Sequence, residues 1–197
     1  MAQSQTGRAG VRGEWAEYVR QAELQKREVT ELVAPLSEAR LHWRTAPNKW
    51  SVGEHLNHLP KTIRPYLATI DAAVEQARAR GWSGSGPYAR GGRIAEWFVR
   101  SMEPPVQTRM KTLKRLVPQA REPRERLVAD FSAAQDELIA CANRAAGVDL
   151  GRATLRSPYL WLLKLTVDQA FRVMLAHNRR HIWHIRQILA NPQLPAA

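Results

Sequence analysis

Three histidines, His177, His181 and His184, fall within one short stretch near the C-terminus, A-H-N-R-R-H-I-W-H-I-R-Q. On a helix turning about 100° per residue they share an arc of about 60°. Val173, Met174, Ile185 and Ile188 lie on the same face, and Arg172, Arg179 and Arg186 on the opposite one. The imidazoles therefore sit on an apolar stripe and point into a bundle. Histidines four residues apart have Cβ atoms about 5–6 Å apart, so two such rings can converge on one ion. Neutral imidazole binds zinc and related transition metals at about 2.0–2.1 Å. Each buried ring also carries a donor and an acceptor that need partners. Hydrogen bonding within a core would meet that need as well, and it is the usual fate of a lone buried histidine. No glutamate stands between the pair in the H-E-x-x-H manner, which excludes the zinc-protease arrangement. A second group, His55 and His58, belongs to another helix, and two helices each offering inward histidines is how a bundle builds a site. Spacing leaves all five as inward candidates.

These side chains must be positioned by long helices. A helical pattern runs from about Glu14 through Trp15, Tyr18, Val19, Ala22, Val29, Leu32 and Val33 and stops before Pro35. Residues 35–50 read as a connection that contains His42. Ser51-Val-Gly-Glu54 is a capping box opening a second helix over 51–79, with a kink or break expected at Pro60 and Pro65. Residues 81–92 are a glycine-rich loop. A short helix follows over 93–102, then an irregular basic stretch to Arg121. Pro123 suits the first turn of a third long helix, 123–146, ended by Gly147. Residues 149–165 read as a connection, and no strand series is evident. Thr166-Val-Asp-Gln169 forms a second capping box, and the last helix runs to about Ala190, before Asn191-Pro192. The expectation is an all-α fold: a flexible N-terminus over 1–12 and one helical domain over 13–197.

Composition bounds the partners. Thirty Lys and Arg against eighteen Asp and Glu give a net charge of +12 in 197 residues. Such a balance points towards anionic partners. The basic residues are nevertheless spread along the chain, which reads better as solvated helix faces than as a nucleic-acid patch. No run approaches the roughly 18 apolar residues of a membrane span, and no secretory leader is evident. Cytoplasmic localisation, no membrane and no nucleic acid are the expectations. The single Cys141 excludes an internal disulfide framework.

The segment W-S-V-G-E-H-L-N-H-L over Trp50 to Leu59, the preceding L-S-E-A-R-L-H-W-R-T-A-P-N-K-W and the terminal H-N-R-R-H together resemble the DinB/YfiT-like superfamily, over roughly residues 14–190. The resemblance implies an up-down-down-up four-helix bundle, with an irregular excursion between the second and third helices. It also implies a three-histidine metal site: His58 as one ligand, His177 and His181 as the other two. His55 becomes a histidine that supports a ligand from behind or lies at the surface, and His184 one that orients a ligand or substrate. His42 has no part, and the tryptophans are packing, with Trp161 and Trp183 suited to core or subunit contacts. Three nitrogen ligands leave a position open, as in a catalytic site. By resemblance the chain is a divalent-metal protein (Zn, Ni, Mn or Fe) that activates a low-molecular-weight thiol for S-transfer to a small-molecule substrate. A metal-dependent hydrolase and a non-catalytic stress-response protein are the alternatives, and a homodimer is the expected assembly.

Overall fold

The computed structural model describes residues 14–88, 91–106, 111–118 and 121–196. In chain order these form α1 (Trp15–Val33), α2 (Glu38–Leu41), α3 (Val52–Ala79), α4 (Arg93–Met102), a 3₁₀ turn (Lys114–Leu116), α5 (Arg124–Arg144), β1 (Thr154–Arg156), β2 (Lys164–Thr166) and α6 (Val167–Leu189). The N-terminal segment expected to be flexible, residues 1–12, lies outside the described residues.

Both capping boxes form. Ser51 Oγ accepts from Glu54 N at 3.2 Å, and Glu54 Oε2 accepts from Ser51 N at 2.9 Å. At the start of α6, Thr166 Oγ1 accepts from Gln169 N at 3.1 Å, and Gln169 Oε1 accepts from Thr166 N at 3.0 Å. Each box satisfies two backbone donors that the first turn leaves open. At the other end of α5, Gly147 takes φ +79°, a left-handed conformation that costs glycine little.

Three expectations are corrected. The connection over 35–50 contains the one-turn helix α2, too short for a periodic signal. The second helix does not break: α3 runs continuously through Pro60 and Pro65. Pro65 has no N–H for the Lys61 carbonyl, and that carbonyl accepts instead from Tyr159 Oη at 2.9 Å, with Thr62 O at 3.1 Å. Third, the connection over 149–165 carries a two-stranded antiparallel hairpin, Leu155 opposite Leu165 and Arg156 opposite Lys164. The strands are three residues each, below what alternation can reveal. The hairpin docks on α3 through Tyr159 and through Tyr66 Oη, 2.8 Å from Ser157 Oγ.

Four long helices form a ring in which α1 touches α5 and α6, and α3 touches the same two. Residue pairs give the directions. Tyr18 stacks on Phe171 and Arg186 pairs with Glu28, so α1 and α6 run together. Arg64 pairs with Asp130 and Arg144 with Asp71, so α3 and α5 run together. Lys26 pairs with Asp136 while Arg124 Nη1 reaches Leu36 O, so α1 opposes α5. The short α4 lies along α6, held by Arg172–Glu96 and Arg179–Glu103.

The apolar interior divides into two clusters. One holds Ile63, Ile70, Leu138, Phe171 and Met174; the other holds Val29, Leu56, Leu59, Phe131, Ile182 and Ile185. Between them, at the level of Gln25 on α1, Gln135 on α5 and Asn178 on α6, the buried side chains are polar. Asn178 Nδ2 donates to Gln25 Oε1, and Gln25 Nε2 to Leu175 O. The histidines occupy the same layer on its α3–α6 side.

Candidate metal centre

About two turns of α3 and two of α6 carry the cluster, and the two helices run in opposite directions there. His55 faces His181, and Thr62, seven residues further along α3, faces His177. One ring nitrogen each from His58, His177 and His181 falls within a span of 4.8 Å. His58 and His181 are buried and His177 is half-buried.

Hydrogen bonds fix which nitrogen faces inward. His58 Nδ1 lies 2.8 Å from the Leu116 carbonyl, which can only accept, so Nδ1 carries the proton and Nε2 the lone pair. Thr62 Oγ1 spends its own proton on Leu59 O at 2.8 Å, so at 3.4 Å it is the acceptor for His177 Nδ1. His181 Nδ1 lies 2.8 Å from His55 Nδ1. On the other side of these rings, His181 Nε2 and His177 Nε2 are 3.1 Å apart. Two lone pairs at that distance repel unless a proton or a cation lies between them. A tetrahedral ion with bonds of about 2.0–2.1 Å separates its nitrogens by roughly 3.3–3.4 Å. The donor set thus suits a zinc-like divalent ion: three imidazoles, each oriented through its outer nitrogen.

The electrostatics keep the cluster neutral. Burial, reinforced by neighbouring His58 and by Arg180, lowers the His177 pKa to about 3. Burial likewise lowers His55 to about 3, and His181 falls well below its ordinary value for the same reason. His58 is lowered by burial against the opposing effect of the Leu116 carbonyl, and His184 by burial and nearby Arg180 and Lys49. Unprotonated rings are the form that binds metal.

The cluster forms one wall of a cavity of about 1150 Å³. Trp50, Tyr66, Tyr159 and Trp183 supply aromatic surface, and Lys49, Lys111 and Arg180 supply positive charge. Among the described residues no aspartate or glutamate lines it. Arg180 is buried, donates to Ser101 O at 3.1 Å, and has its pKa lowered by desolvation.

The five inward candidates are therefore all gathered here. His55 stands behind His181, and His184 stacks on His55 with ring centroids 5.4 Å apart. His42 lies elsewhere, its Nε2 on the Glu122 carbonyl at 3.1 Å. Sequence reasoning missed Trp50, assigned there to packing alone. Its ring centroid lies 4.9 Å from that of His58, 5.4 Å from His55 and 6.0 Å from His181. The signal was available, since Trp50 directly precedes the cap of α3, one turn before the first histidine. Thr62, four residues after His58, was legible by the same logic. The Leu116 carbonyl was not, because it belongs to the irregular excursion. Trp161 is 71% exposed and so is no core residue.

No helix among the described residues is long and apolar enough to cross a membrane. No curated protein matches the chain. Among solved structures, the fold is similar to that of YfiT from Bacillus subtilis, described as a probable metal-dependent hydrolase with an unusual four-helix bundle topology. That likeness has a TM-score of 0.57 at 12% identity and covers 95% of this chain and 93% of that one. The sequence profile of the DinB superfamily matches residues 21–185, and by that match over most of its length the chain belongs to the DinB superfamily.

Proposed function

We propose that His58, His177 and His181 hold a divalent ion and that the chain is an enzyme acting at that ion's open position. The observation that carries this reading is that each outer nitrogen has a hydrogen-bond partner of its own: Leu116 O for His58, Thr62 Oγ1 for His177 and His55 Nδ1 for His181. That pattern turns three Nε2 atoms to one point on a cavity wall. The helix directions fit an up-down-down-up order, with α3 and α6 opposed where His55 meets His181 and Thr62 meets His177. A zinc, nickel, manganese or iron ion bound there would act as a Lewis acid, lowering the pKa of a thiol or water presented to it.

The chain's own residues bias the choice of nucleophile. With no carboxylate among the described lining residues, no Asp or Glu is placed as a general base. A thiol, with an ordinary pKa of about 8.5, gives up its proton far more readily than water and needs such a base least. The cavity is wide enough for a low-molecular-weight thiol beside an acceptor, and Trp50 and Tyr159 offer apolar surface for the latter. S-transfer from a thiol cosubstrate is therefore the first reading. Hydrolysis is the second, favoured by the similarity to YfiT.

The test is a pair of assays on metal-reconstituted protein. Conjugation of a small thiol to an electrophile that requires the ion and disappears in His177→Ala supports the first reading. Ion-dependent ester or amide cleavage without thiol would replace it by the second. A protein that binds the ion stoichiometrically but shows neither activity contradicts the enzyme claim.

A further inference from the structure

We propose that the tip of the β1–β2 hairpin docks on an anionic lipid bilayer. Leu160, Trp161 and Leu162 are consecutive at this tip and are 44%, 71% and 74% exposed. Three large apolar side chains in a row on a short, two-stranded support form a wedge: Leu160 borders the histidine cavity, while Trp161 and Leu162 project away from it. A bilayer interface takes up leucine chains below the headgroups and tryptophan at headgroup level.

The ring around the wedge is basic. Arg156 and Lys164 sit opposite each other on the exposed face of the hairpin. Arg156 Nη1 donates to Trp161 O at 3.2 Å, and Arg115 Nη2 donates to Pro158 O at 3.1 Å, so both guanidinium groups are fixed against the tip. None of the three has a carboxylate within ion-pair distance among the described residues, whereas Arg64, Arg144, Arg172 and Arg179 on the helices all do. The sequence adds to this: residues 150–166 and 104–121 contain no Asp or Glu at all. Positive charge encircling exposed Trp and Leu matches an anionic lipid surface, where basic side chains meet headgroups as the apolar ones enter. A second copy of the chain fits less well, because a symmetric contact through this tip would bring the two basic rings together. The absence of a membrane-spanning helix does not bear on this mode, in which the protein lies on the surface.

The test is vesicle co-sedimentation of the full chain, with phosphatidylglycerol–phosphatidylcholine vesicles against phosphatidylcholine alone. Binding to the anionic vesicles only, weakened by added salt, is expected. Trp161→Ser with Leu162→Ser should weaken it roughly tenfold or more, as should Arg156→Gln with Lys164→Gln. Neither Trp161 nor Leu162, nor Arg156 nor Lys164, lines the histidine cavity, so these variants should keep their thermal midpoint and metal content. Quenching of tryptophan emission by bromine-labelled lipid should be lost in Trp161→Phe. Absence of binding at low salt overturns the proposal, and so does binding that the tip variants leave unchanged. A concentration-dependent dimer abolished by the tip variants overturns it in favour of a second copy.

Discussion

His181 and His55 meet Nδ1 to Nδ1 at 2.8 Å, so one of the two nitrogens donates and the other accepts. If His55 donates, the His181 proton sits on Nε2 and points at His177 Nε2, 3.1 Å away. If His181 donates, all three Nε2 atoms of the cluster present lone pairs. An ion selects the second arrangement without any change in net charge. In the metal site proposed above, His55 would accept from His181 and so hold it in the ligating tautomer.

Replacing His55 by leucine removes that acceptor while keeping the site closed. Metal affinity should fall about 10–100-fold with one ion per chain still bound at saturation. His184→Ala, which removes only a stacked ring, should fall less. Competition titration against a chromogenic chelator measures both. An affinity in His55→Leu equal to the parent would contradict the role given to His55.

Tyr159 is assigned a structural task, completing the hydrogen bonding of α3 where Pro65 leaves the Lys61 carbonyl open. Tyr159→Phe should destabilise the protein by about 1 kcal/mol in urea unfolding. Metal content should stay unchanged. A neutral effect on stability would mean that the carbonyl finds another donor at no cost.

Much of this was legible in the sequence. Both capping boxes name themselves, and helical phase alone places His177, His181 and His184 inward. What was not legible came from long-range contacts. The carbonyl that Pro65 leaves open in α3 is met by a tyrosine nearly a hundred residues away. The acceptor for His58 is a backbone carbonyl in an irregular segment, where side-chain patterns carry no information. The hairpin strands are too short to show alternation, and Trp161 becomes exposed only because their turn projects it outward.

The polar layer between the two apolar clusters has one conspicuous member. Gln135 on α5 is fully buried, and neither its Oε1 nor its Nε2 meets a protein partner. Burying an unpaired amide costs about 1–3 kcal/mol. Gln135→Leu should therefore stabilise the fold by about 1 kcal/mol in denaturant titration. A destabilised variant would show that the amide has a favourable role in this layer.

Acid should loosen the metal-free protein. In the fold, His55 and His177 have pKa values of about 3, far below the ordinary value near 6.5, because burial disfavours the cation. The unfolded chain then binds more protons than the folded one between those limits. Stability is complete above about pH 6.5 and declines as pH falls towards 3, by up to about 1.4 kcal/mol per pH unit for each histidine. Urea midpoints measured from pH 8 to pH 4 should be level and then drop. Midpoints unchanged down to pH 4 would contradict the buried neutral cluster.

The central claim is the three-nitrogen site, and metal content tests it most directly. Protein purified without a histidine tag, loaded with zinc and freed of excess ion, should carry one ion per chain by elemental analysis. His58→Ala, His177→Ala and His181→Ala, each verified as folded by circular dichroism, should each lower retention about tenfold or more. One tightly held ion per chain that survives all three substitutions would contradict the account.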